Sequence, residues 1–142
     1  MQVKFALLAD YAIISRDGKL SVLGIFDEIN LATIPGVMPT PMNLVVSITG
    51  EASEVGNSFD LELLLWDQDG NELFASQTEF EFKRERRGLY PTHNTLIGLH
   101  GLRFNRAGDH SLIVKVNGEE RRRVPIRVNQ VQPPPPPVDE SS

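Results

Sequence analysis

A chain of 142 residues with 14 basic and 19 acidic side chains, net charge −5, is enough for one domain and too short for two comfortable ones. It contains no cysteine, which excludes a disulfide framework, a thiolate metal site and a thiol nucleophile. The acidic balance argues against bulk attraction to nucleic acid or anionic lipid, though not against a local basic patch.

Phe5 to Leu8 and Tyr11 to Ile14 are largely apolar, but Asp10 interrupts the run and no small-residue cleavage site follows. No apolar run approaches the roughly 20 residues a membrane helix requires. A cytoplasmic location without a membrane partner is therefore the expectation.

The first predicted strand runs from Val3 to about Ser15, and Asp17-Gly18 turns it into a second, Lys19 to about Ile29. Both exceed the usual strand length, which predicts a bend, with Gly24 as a candidate site. Leu20, Val22 and Phe26 lie on one face and Leu23 and Ile25 on the other, so this strand is covered on both sides or switches sheets. Leu31 to Pro41 holds three prolines and a glycine and reads as a connection.

Met42, Leu44, Val46 and Ile48 then alternate with Asn43, Ser47 and Thr49. After the polar loop Gly50 to Ser58, Phe59, Leu61, Leu63 and Leu65 face inward on the next strand. Asp67 to Gly70 is a turn, and Phe74, Phe80 and Phe82 share one face of the strand beyond it. Lys83 to Pro91 is a charged loop and Thr92 to Leu99 a short strand. The chain closes on a hairpin: Leu112, Val114 and Val116, the turn Asn117-Gly118, then Val124, Ile126 and Val128. Asn-Gly suits a type I′ turn, whose two central residues need positive φ.

Seven to nine strands with turn signals between them and no convincing helix predict an all-β, immunoglobulin-like antiparallel β-sandwich, with a closed barrel as the alternative. The domain is expected to span residues 1–130. Residues 131–142 form a proline-rich acidic tail, expected to be disordered, in which Pro133, Pro134, Pro135, Pro136 and Pro137 favour polyproline II.

The opening, LLADYAIISRDGKLSVLGIFDEI (Leu7 to Ile29), resembles a family of small uncharacterised bacterial proteins, a domain of unknown function. The shared pattern is Ala-Asp-Tyr-Ala, then Asp-Gly-Lys-Leu, then Gly-Ile-Phe-Asp. LLLWDQDGNEL resembles that family's central strand and turn, and RAGDHSLIVKVNGE its closing hairpin, with His110 where an aromatic is commoner. The resemblance covers residues 1 to 128 and implies a bacterial or phage-like origin and a β-sandwich. It implies no activity and no site residues.

Asp67, Asp69, Asn71 and Glu72 invite a calcium reading, but glycine arrives too early for an EF-hand loop, and turn chemistry explains the same residues. His93, His100 and His110 lie on separate segments without ligand spacing and read as surface or half-buried side chains. Asp10 and Asp27 sit in apolar surroundings and are candidate buried carboxylates, although such residues more often accept backbone hydrogen bonds at a bend or strand end, and Trp66 reads as core packing, with an interface anchor the lesser reading. Neither a metal nor a cofactor is expected.

Two basic runs carry the sharper hypothesis. Lys83, Arg84, Arg86 and Arg87 crowd one loop; Arg121, Arg122 and Arg123 follow the closing turn, with Arg103 and Arg106 upstream. Brought together, they would form an anion or partner patch, because arginine suits bidentate carboxylate and phosphate recognition. The plainer reading is that alternate arginines line a wet face and protect a strand edge.

These features make the expected protein non-enzymatic: a protein-interaction or structural module, with self-association into a homo-oligomer among its options. The tail is a candidate docking segment. The alternative is anion or nucleic-acid binding through the arginines, and an enzyme with a site assembled from distant residues comes last.

Overall fold

The computed structural model describes residues 1–83 and 90–132; Arg84, Arg86, Arg87 and the prolines of the tail lie outside them. Eleven strands form: β1 (Gln2–Ile14), β2 (Leu20–Phe26), β3 (Glu28–Leu31), β4 (Gly36–Val37), β5 (Met42–Thr49), β6 (Ser58–Trp66), β7 (Glu72–Glu81), β8 (Thr92–Leu99), β9 (Arg103–Phe104), β10 (Gly108–Val116) and β11 (Glu119–Gln130). A single 3-10 turn, Ala52–Glu54, lies between β5 and β6. The count exceeds seven to nine because β4 and β9 are two-residue ladders inside segments read as connections, and because the second predicted strand is two.

One sheet has the order β2-β1-β5-β8 and the other β3-β11-β10-β6-β7. Two separate sheets packed over one core make a sandwich, not a closed barrel, and its build is immunoglobulin-like. The chain changes sheets at Asp27. β2 pairs with β1 in the first sheet, and β3 then runs parallel to β11 in the second. Leu8, Leu44, Val46 and Ile48 pack from one side against Leu61, Leu63, Leu65, Leu112, Val114 and Ile126 from the other. Phe59, Phe80 and Phe82 close one margin with mutual ring distances of 5.3 to 5.7 Å.

The closing hairpin turns as its sequence dictates: Asn117 has φ 51° and Gly118 φ 80°, the two positive values a type I′ turn needs. A bulge follows. Val114 faces Arg122 and Lys115 faces Glu120, so Arg121 is the extra residue.

The largest departure from simple alternation is in β5. Leu44, Val46 and Ile48 point into the core, yet Val45 and Ser47 on the opposite face are also buried, at 0% and 3% exposure. An antiparallel sheet of this kind normally leaves one face wet. Here the far half of the β1–β2 hairpin covers it. β1 leaves β5 after the pair Ala9–Asn43 and continues, paired only with β2, to Ile14. Run straight, the hairpin tip would lie on the order of 30 Å from Lys4. Instead, Gly18 and Lys19 at the tip share a cleft with Lys4, Phe5, Ser47 and Asn94, and β1 touches β8 although β5 separates them in the sheet. The hairpin is therefore folded back over the outer face of its own sheet as a flap.

Gly24 marks the corner. Its φ is +69°, a region costly for other residues, and a Cβ there would collide with the Asp10 carboxylate. Asn43 Nδ2 donates to the Asp10 carbonyl at 3.2 Å, tying the corner to β5.

Candidate functional site

Among the described residues, the basic side chains do not gather into one surface. Arg103 and Arg106 lie at the end of the sheet where β6 turns into β7, beside Asp67 and Asn71. Arg121 lies toward the other end, near the β10–β11 turn, and Lys83 follows β7 across the sheet from it. Arg103, Arg106, Arg121 and Arg123 are engaged locally. Arg106 pairs with Asp69, and Arg103 Nε donates to Asn105 Oδ1 at 3.1 Å. Arg121 meets Glu119 at 3.5 Å, and Arg123 meets Glu120 at 2.7 Å. The hydrogen bond from Arg123 holds Glu120 below the usual carboxylate range and raises Arg123 in turn. Arg122 is exposed.

β11 shows what these arginines do for the fold. β3 pairs only with Arg127 to Gln130, so the stretch from Glu119 to Ile126 has a free side. Arg127 donates its N–H to the Asp27 carbonyl on that side, at 2.8 Å. Pro125, two residues earlier, has the same parity, so its missing N–H falls on the free edge and spares the ladder to β10. Proline and consecutive arginines are protection against strand addition. Trp66 is not in the core, as its position had suggested. It packs half-buried on the outer face of the second sheet, with Lys115 Nζ 5.6 Å and the Arg123 guanidinium 5.8 Å from its ring. Between these side chains Leu64 and Ile113 are buried although they face outward, covered by long cationic stems.

The Asp67 turn uses its carboxylate for backbone. Oδ1 accepts the N–H groups of Asp69 and Asn71, both at 2.9 Å, and Oδ2 accepts Asn71 Nδ2 at 3.0 Å. Burial raises the pKa of Asp67, but the bonds from Asn71, with Arg106 and His110 nearby, outweigh it and hold the group low. Among the described residues no group of three His, Asp or Glu side chains is placed to hold a metal. Asp10 and Asp27 are exposed, contrary to the buried-carboxylate reading: Asp10 lies at the corner and Asp27 in the crossover between sheets. His110 is buried at 2% exposure, correcting the surface reading. Its inward parity sets it against Phe104, with Nδ1 3.0 Å from the Gly108 carbonyl.

The surface that stands out is the flap. Tyr11 and Leu23 face each other across its two strands, and Ile13 lies two residues beyond Tyr11. Tyr11 is 53% exposed, Leu23 65%, Ile13 43%, and Ile25 at the corner 63%. The intervening pair, Ala12 and Val22, faces the sheet. Reading the sequence for charge missed this surface. The available signal was the apolar character of both faces of β2 combined with a glycine in the strand. Single exposed apolar residues are ordinary, but a contiguous group marks an interaction surface.

The fold and this surface define an immunoglobulin-like β-sandwich with an exposed apolar group on its β1–β2 flap. The chain belongs to a family of unknown function, DUF6941, whose profile matches residues 4–129. No curated protein matches it. Among solved structures it is similar to an alkylpurine DNA glycosylase of Pseudomonas fluorescens bound to DNA containing an abasic site analog. That match has 17% identity and a TM-score of 0.44, over 72% of this chain and 27% of the glycosylase, so the chain spans about a quarter of that enzyme's length. It is also similar to an immunoglobulin-like protein of Pseudomonas aeruginosa, at 13% identity and a TM-score of 0.39, over 90% of this chain and 95% of the other.

Proposed function

We propose that the protein is a non-enzymatic interaction module of the cytoplasm, which docks a protein partner on the outer surface of the β1–β2 flap. The observation that carries this reading is the contiguous exposure of Tyr11, Ile13, Leu23 and Ile25 on an element already braced by the sheet beneath it. Large apolar side chains held in place before binding lose little entropy when a partner covers them. The partner surface is accordingly apolar at its centre with a polar rim. The arginine alternative is weaker because Arg103 and Arg106 lie toward the opposite end of the sheet from Arg121.

The test is capture from native lysate with the wild-type chain and with Leu23→Lys/Ile25→Lys, each with and without nuclease. A protein retained by the wild type, resistant to nuclease and absent from the variant supports the proposal. Retention that ignores the substitutions, or vanishes with nuclease, overturns it.

A further inference from the structure

The folded-back hairpin does not seal against the sheet. Between them lies a cleft of about 530 Å³, within the volume range of small-molecule sites. Its floor is one cross-strand row, Phe5 on β1, Ser47 on β5 and Asn94 on β8, registered directly opposite one another. Its roof is the flap, which contributes Leu20 and Val22.

Three features point to a ligand. The floor buries polar groups: Ser47 is 3% exposed, and Asn94 Oδ1 is fully buried without a hydrogen-bond partner. Phe5, Leu20 and Val22 supply apolar walls beside these polar groups. Among the described residues, the charged side chains lining the cleft are Lys4 and Lys19, with no carboxylate lining it, in a chain whose net charge is −5. Lys19 also approaches Asp17 at 3.6 Å, but both are exposed and the pair is weak.

We infer that this cleft binds a small organic anion with an apolar body. The anionic head meets Lys4 and Lys19, and the body lies between Phe5 and the flap residues Leu20 and Val22. The site is separate from the outer surface of the flap, so it stands or falls independently of the docking reading.

The experiment is a titration of the full-length, ¹⁵N-labelled chain with 4-hydroxybenzoate, followed by amide chemical shifts, with 4-hydroxybenzamide as the uncharged control. Saturable shifts at Phe5, Ser47, Asn94 and Leu20 to Val22 are expected, with the carboxylate at least tenfold tighter than the amide. Lys4→Glu/Lys19→Glu, at two exposed positions, should weaken carboxylate binding at least tenfold with an unchanged spectrum in the free state. Absence of saturable shifts, equal affinity for acid and amide, or shifts confined to residues outside the cleft would overturn the inference.

Discussion

The β1–β2 and β10–β11 hairpins solve the same problem in opposite ways. Each borders a sheet and carries a strand with unpaired backbone. On β11 the free edge holds Arg121, Arg122, Arg123 and Pro125, while Ile126 and Val128, farther along the strand, are buried at 1% exposure. On β2 the sequence Leu20–Phe26 has neither a charge nor a proline, and Leu23 and Ile25 face water. Charge on an edge discourages strand pairing; its absence beside exposed apolar side chains fits a surface meant to be covered. In the sequence the arginines offered either an anion patch or a guarded edge, and the two-faced apolar strand either cover on both sides or a change of sheets.

The contrast can be broken from either side. Ile126→Ala, on the guarded hairpin, should cost about 2–5 kcal/mol in chemical denaturation, as a fully buried aliphatic does. A cost near zero would mean the β11 side is not packed as described. Gly24→Ala should cost about 1–2 kcal/mol from its positive φ, with a further penalty from the clash with Asp10. The loss should appear as raised hydrogen exchange in the flap before the core.

A third edge gives a pH-dependent control. His93 on β8 stacks on Phe80 at 4.7 Å, and burial, helped by repulsion from Lys83, pushes its pKa below the usual 6.5. The unfolded chain therefore takes up the proton first as pH falls. Stability from this group is complete above about pH 6.5 and declines below it. His93→Gln should flatten the denaturation midpoint between about pH 7.5 and 5.5, while variants in either hairpin should leave that slope unchanged. The smallest effect belongs to Leu23→Ala, within about 0.5 kcal/mol in monomer stability, because the side chain is already in water. A much larger loss would place Leu23 in packing rather than on a docking surface.

Much of the fold was legible in the residues. Asn117-Gly118 announced its turn through the φ values it permits, and the inward series Leu61, Leu63 and Leu65 and Leu112, Val114 and Val116 follow period 2 into the core. What could not be read were long-range facts. A bend at Gly24 was foreseeable from strand length, but its direction back over β5 depends on contacts with Asn43 and Asp10 that no local pattern encodes. The crossover was foreseen only as an option, because Asp27 looks like any other polar residue until β3 is seen beside β11. Among the described residues, the candidate patch is split for the same reason: Arg103 and Arg121 are near in sequence but placed toward opposite ends of β10. Trp66 misled because an indole at the end of an inward-facing strand can as easily shelter the outer face under Lys115 and Arg123.

The most direct test of the central claim sets the two hairpins side by side in one capture experiment from native lysate, with Leu23→Lys/Ile25→Lys on one chain and Arg121→Glu/Arg122→Glu/Arg123→Glu on another. The account predicts that the first variant loses the protein partner and the second keeps it. Loss of the partner by the arginine variant, with retention by the flap variant, would contradict it.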